Sequence, residues 1–148
     1  MSNFYANGAA AMTSNRDDWE TPQALYDELD AKYHFTLDAA SSDSNAKCPR
    51  HLTKEDDAFA VGWDGETVWL NPPYGRDMAR WVEKASAEAG RGTRIVMLVP
   101  ARTDTRWFHD HIYHKARVEF IRGRLKYELG GRSQQSAPFP SMLVYFNC

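Results

Sequence analysis

Asn71-Pro72-Pro73-Tyr74 brings an amide side chain, a proline carbonyl and a phenol ring together within four consecutive residues. The Asn71 side-chain oxygen and the Pro72 carbonyl can accept both hydrogens of an exocyclic amine, and the Tyr74 ring can stack on the attached heterocycle. The chemistry is that of gripping a planar, nitrogen-bearing substrate. An apolar run, Thr67-Val68-Trp69-Leu70, precedes the quartet, and a segment of helical spacing follows it. Two adjacent prolines cannot continue a central strand, because each lacks an N–H and fixes φ. The chain therefore leaves the sheet at its carboxyl edge, where open α/β sheets bind ligands.

The elements that must hold this turn are legible on both sides of it. Thr21 reads as an N-cap with Pro22 at the first helical position, and Leu25, Leu29 and Tyr33 repeat at helical spacing, predicting a helix over about 22–32. Phe35-Thr36-Leu37-Asp38 reads as a short buried strand ending in a carboxylate. Residues 41–53 form a polar loop, a helical turn falls within 55–61, and Asp64-Gly65 is a tight turn into the strand before the prolines. Met78, Trp81, Val82, Ala85 and Ala89 mark a helix that Gly90 ends. Residues 94–99 are nearly continuously apolar, as in a strand covered on both faces, and Pro100 stops them. A helix around Trp107, Phe108 and Ile112 follows, then strands over 117–121 and 142–146 separated by a loop over 130–140. This alternation predicts a Rossmann-like α/β fold of about five mostly parallel strands with flanking helices. Residues 1–16, rich in Ala, Asn, Ser and Gly without apolar period, read as a mobile tail ahead of a single domain over 17–148.

At 148 residues, with 43% hydrophobic and 13% aromatic content, the chain matches one folded domain of common size. It shows no apolar run near the ~20 residues that cross a bilayer and no secretory signal pattern, which predicts a cytoplasmic protein without a membrane partner. Cys48 and Cys148 form no spaced framework and read as free thiols. The net charge of −2 conceals a division: residues 1–75 carry 5 Lys/Arg against 13 Asp/Glu, net −8, and residues 76–148 carry 13 against 7, net +6. The basic half either faces a phosphate backbone or is an ordinary solvated surface.

Five stretches occurring in order carry a resemblance. They are Trp19-Glu20-Thr21-Pro22, Phe35 to Ala40, Asn45-Ala46-Lys47-Cys48-Pro49-Arg50, Trp69 to Arg76, and Arg122-Gly123-Arg124-Leu125-Lys126-Tyr127. Together they resemble the small phage and prophage DNA N6-adenine methyltransferases, over roughly residues 17–147. Asn-Pro-Pro-Tyr alone also marks methyltransferases of RNA bases and of protein glutamine amides; its combination with the Thr-Pro start and the carboxylate-ended strand is more specific.

The resemblance implies a reduced Rossmann-like methyltransferase fold, S-adenosylmethionine as cofactor and DNA as partner. It places Thr21 and Pro22 beside the cofactor's amino-acid end, and Asp38 with Ala39 at the first strand end as cofactor contacts. An acidic contact to the cofactor's adenine falls on Asp56 or Asp57. Asn71, Pro72, Pro73 and Tyr74 become the catalytic turn for methyl transfer to a flipped adenine. Tyr127 becomes a second aromatic contact, and Arg122, Arg124 and Lys126 become phosphate contacts or, alternatively, a charged strand edge that resists aggregation. Unlike most such enzymes, the chain has no glycine between Asp38 and Gly62. It also lacks length for a separate recognition domain, so sequence choice falls to short loops such as 130–140, to a homo-oligomer or to another subunit. No metal site is expected, since His109, His111 and His114 do not share one helix face and no Cys pair accompanies them. The other classes in play are a methyltransferase of an RNA base or protein glutamine amide, and a nucleic-acid-binding relative without catalysis.

Overall fold

The computed structural model describes residues 19–148, and the predicted tail over 1–16 lies outside the described residues. The five expected strand segments become β1 (Leu37–Asp38), β2 (Thr67–Leu70), β3 (Arg94–Pro100), β4 (Arg117–Phe120) and β7 (Ser141–Phe146), in one sheet of order β1-β2-β3-β7-β4. β1, β2 and β3 are mutually parallel, while β7 runs antiparallel to both β3 and β4. Ile95 to Val99 have 0% exposure, as expected of a strand covered on both faces. Beyond β1, residues 50–52 run alongside its free edge: the Asp38 N–H donates to the Arg50 carbonyl, and the Leu52 N–H donates to that of Asp38. The polar loop thereby covers an edge that would otherwise be bare.

Helix α1 (Gln23–Tyr33) packs Tyr26, Leu29 and Tyr33 inward, and Tyr26 meets Phe35 and Trp69 at ring separations of 5.6 and 5.7 Å. It begins one residue later than expected, and Thr21 does not cap it. Pro22 is the N-cap, and the first helical N–H, that of Gln23, donates instead to the Glu128 carboxylate at 3.1 Å. The predicted helical turn within 55–61 is a single 3-10 turn, Lys54–Asp56. Helix α2 (Met78–Gly90) buries Met78, Trp81, Val82, Ala85 and Glu88. Glu88 stays buried because its carboxylate accepts from the Trp63 N–H at 3.0 Å and pairs with Lys84 at 2.9 Å. Helix α3 (Arg106–His111) buries Trp107 and Phe108, with Ile112 just beyond it.

The loop expected over 130–140 is in part a hairpin, β5 (Glu128–Leu129) with β6 (Arg132–Ser133). Gly130 and Gly131 have φ of 61° and 80°, the two left-handed positions that a two-residue hairpin turn requires. No described helix is long and apolar enough to cross a membrane.

Candidate active site

β1 and β2 are parallel neighbours, so their carboxyl ends open on the same edge. Asp38 is in register with Trp69, and Asn71 lies two residues further on, so the alternation of side chains sends all three toward one face. All three line a cavity of about 560 Å³, a volume within the range of small-molecule and cofactor sites. Gly75, at φ 123°, lets the chain swing from the Pro-Pro turn into α2.

Asn71 is held by its amide nitrogen, which donates to the Trp19 carbonyl at 2.6 Å and to the Thr21 hydroxyl oxygen at 3.0 Å. A carbonyl can only accept, so the amide orientation is decided: nitrogen toward Trp19, oxygen away. That oxygen, Oδ1, shows less than 1 Å² to solvent and accepts no hydrogen bond among the described residues. Leaving a buried acceptor unmatched costs about 1–3 kcal/mol, which an N–H brought by a ligand would remove.

Asp38 is 3% exposed at the end of β1. Its carboxylate accepts from the Lys47 N–H at 2.9 Å and the Ala40 N–H at 3.3 Å. Burial nevertheless dominates and pushes its pKa up to about 6. The site thus holds an incompletely solvated carboxylate on one strand end and an unmatched amide oxygen on the next. Together they suit a ligand that donates hydrogen bonds and carries positive charge.

A family model described as DNA N-6-adenine-methyltransferase (Dam) matches residues 8–147. The chain belongs to this family. It is 33% identical over 118 residues to a DNA N-6-adenine-methyltransferase of Escherichia phage T1, a match covering 78% of this chain and 49% of that relative. It is 26% identical over 139 residues to a DNA N-6-adenine-methyltransferase of Haemophilus phage HP1, covering 90% of this chain and 80% of that one. A putative methyltransferase, YfdM, of Escherichia coli K12 is 34% identical over 65 residues, covering 39% of this chain and 71% of that protein. The chain spans about half the length of the T1 relative.

The structure separates the family-motif residues into those at the cavity and those behind it. Thr21, Asp38, Asn71 and Pro73 line it, whereas Pro22, Ala39 and Pro72 do not. Of the two acidic candidates, Asp57 lines the cavity. Asp56 faces elsewhere: its carboxylate accepts from the Thr53 N–H at 2.8 Å and hydroxyl at 3.0 Å, closing a capping box, and those bonds lower its pKa.

Tyr74 and Tyr127 stand behind the wall. Tyr74 is 7% exposed, and its hydroxyl lies 3.0 Å from that of Tyr127 and 3.3 Å from the Leu98 carbonyl, to which it donates. Tyr127 is fully buried, bonds Ser141 Oγ at 2.8 Å, and packs with Tyr74 around Phe139. This corrects the expectation of an open Tyr127 face: the ring is a brace with no surface for a base. Burial raises both phenol pKa values, that of Tyr127 to about 12. Tyr127→Phe is expected to destabilise the fold by about 1–3 kcal/mol, because two buried hydroxyls lose a shared partner. The shift of the urea unfolding midpoint at unchanged slope measures it.

Arg122, Arg124 and Lys126 lie exposed between β4 and β5 and do not line the cavity; Arg124 donates to the Ala137 carbonyl at 3.3 Å. Several wall residues had no assigned role in the sequence. Ser41 contributes a second buried oxygen without a partner among the described residues. Phe59 and Trp81 form a ring pair 4.6 Å apart on the cavity wall. The Asn45 to Lys47 stretch was visible in the resemblance but carried no chemistry alone, and Trp81 read from the sequence as a core or pocket-wall residue without a role of its own.

Proposed function

We propose that this chain is an S-adenosylmethionine-dependent methyltransferase that transfers a methyl group to the N6 amine of adenine in DNA. The observation that carries the proposal is the Asn71 amide, fixed by Trp19 and Thr21 with its oxygen unmatched, beside Asp38 on the wall of one cavity. Family membership and the relatives' names support adenine N6 as the methylated atom.

The cofactor fits the donors present. A buried carboxylate suits a ribose diol and a sulfonium charge, and Asp57 and the Phe59–Trp81 pair supply a polar and an aromatic wall for an adenine ring. Held by Asp38, Asp57 and the Phe59–Trp81 pair, S-adenosylmethionine would supply an electrophilic methyl carbon on positively charged sulfur, and the amine that takes the methyl would give up its surplus proton to water. The chain's own residues make the amine a better nucleophile. An adenine N6 lone pair is delocalised into the ring, and accepting an N6 N–H at Asn71 Oδ1 favours the pyramidal, positively charged nitrogen of the transition state. The Pro72 carbonyl joins as second acceptor only once the turn brings it to the cavity, which Pro72 does not line in the unliganded protein. Positioning of the two reactants supplies much of the remaining acceleration. The base must leave the duplex to reach this edge, at a cost of a few kcal/mol. Tyr74 stacks on it only after its ring leaves Tyr127 and Phe139; until then it braces the turn.

The test is incubation of the protein with methyl-labelled S-adenosylmethionine and duplex DNA, RNA or a glutamine-bearing peptide, followed by nucleoside analysis. Label in N6-methyladenine from DNA is expected. Label only in RNA or peptide, or binding without turnover, overturns the proposal in favour of the other methyl acceptors or of a non-catalytic relative.

A further inference from the structure

The strap Trp19-Glu20-Thr21 touches Asn71 on one side and the β5–β6 hairpin on the other. Glu20 and Glu128 exchange two backbone hydrogen bonds, at 3.1 and 3.0 Å, and the Glu128 carboxylate accepts the first N–H of α1. Thr21 is 3% exposed, and its hydroxyl oxygen accepts from Asn71 Nδ2 rather than capping the helix.

We propose that Thr21 is a positioning residue that fixes the orientation of the Asn71 amide, on a strap anchored by the β5–β6 hairpin. The inference rests on the functional reading of Asn71 above and departs from the cofactor contact that the resemblance implied for Thr21. The physical reason is that an asparagine amide is nearly symmetric in shape and turns over by rotation about one bond. The Trp19 carbonyl, which can only accept, decides which end of the amide faces it, because the turned-over amide would set Oδ1 against that oxygen and lose the 2.6 Å bond. The Thr21 hydroxyl, at 3.0 Å, is the second anchor that holds the amide plane in this setting. With it removed the side chain turns more freely about one remaining bond, and the population holding Oδ1 toward the substrate falls. The hairpin matters because its ladder with Glu128 ties the strap backbone across 108 residues of sequence separation, beside the Trp19 ring that packs edge-on to Tyr127 and Phe139.

Thr21→Val exchanges a hydroxyl for a methyl at nearly constant shape. It is expected to lower kcat by roughly three- to tenfold, the worth of one neutral hydrogen bond, with the KM for S-adenosylmethionine unchanged. Thr21→Ser, which keeps the oxygen, restores kcat. In an Asn71→Ala background, Thr21→Val or Thr21→Ala is expected to cost nothing further. A raised cofactor KM at unchanged kcat, no rescue by serine, or an equal loss in the Asn71→Ala background overturns the proposal. A readout independent of turnover is the pair of Asn71 side-chain amide protons in nitrogen-15 NMR of the unliganded protein. One of them is expected to shift upfield and exchange faster in Thr21→Val, and unchanged resonances overturn the positioning role even if the wild type transfers no methyl group. Conversely, an inactive wild type with the expected NMR change counts against the methyltransferase reading alone.

Discussion

Asn71→Ala is expected to lower methyl transfer by about 10²–10³-fold, the usual cost of losing one preorganised polar contact to developing charge, while S-adenosylmethionine binds as before. The substitution deletes an oxygen that has no partner among the described residues, so the unliganded protein loses no bond at that atom. It also deletes the nitrogen that serves Trp19 and Thr21. The Thr21 hydroxyl can turn to donate elsewhere, which leaves the Trp19 carbonyl as the principal loss. Stability should change little against the loss of rate. Single-turnover transfer of labelled methyl, with calorimetric titration of the cofactor alongside, separates the two effects. Equal loss of cofactor affinity would move Asn71 from the substrate side of the reaction to the cofactor side. Normal turnover would remove the turn from the chemistry.

How much of this was visible in the sequence depended on whether a feature is local. β2, β3 and β7 could be read because each is an apolar run bounded by Pro, Gly or a polar cluster, and the apolar run of β3 is the longest of them, whereas β4, Arg-Val-Glu-Phe, alternates charged and apolar residues on an exposed edge. The edge position of the Asn71 turn followed from two prolines alone. What could not be read was pairing across distance. Thr21 has the composition of an N-cap, but its partner, Asn71, is 50 residues away, and the cap is supplied by Glu128 from 105 residues away. Gly130-Gly131 carried a hairpin signal, yet the flanking strands are two residues each and too short to show alternation. Tyr74 and Tyr127 illustrate the same limit. An aromatic beside a functional turn reads as a stacking surface, and only the mutual hydrogen bond and the Phe139 contacts reveal a buried brace.

Charge also distributes by position along the fold. Of the cavity's acidic members, Glu20, Asp38 and Asp57 come from the acidic first half of the chain and Asp77 from the second. Arg102, Arg106, Arg122 and Lys126 follow the carboxyl ends of β3 and β4, are exposed, and make no ion pair among the described residues. The carboxyl ends of β3 and β4 share the sheet edge at which the cavity opens, so the sheet sets the cavity's four carboxylates, with Lys47 and Lys54 among them, beside a border of exposed cations.

The second large effect belongs to Asp38. Asp38→Ala is expected to weaken S-adenosylmethionine by about 10²-fold or more, since hydrogen bonds to a charged acceptor contribute about 1.5–3 kcal/mol each. The variant should also lose a pH dependence that the wild type has. Burial lifts this carboxyl from an ordinary 3.8 to about 6, so between those values the folded protein holds a proton that the unfolded chain has released. Stability of the unliganded fold therefore falls as pH rises from about 4 to about 6, and levels off above that. Cofactor binding runs the opposite way. A ribose diol donates and a sulfonium carries positive charge, so both favour the ionised carboxylate. Affinity should then rise as pH climbs through about 6 and flatten above it, weakening about tenfold for each unit below. Calorimetric titrations between pH 5 and 8 on wild type and Asp38→Ala decide the matter. A wild-type affinity flat across that range, or a pH dependence that survives in the variant, would assign the titration to another group and leave Asp38 a purely structural acceptor for the Lys47 and Ala40 N–H groups.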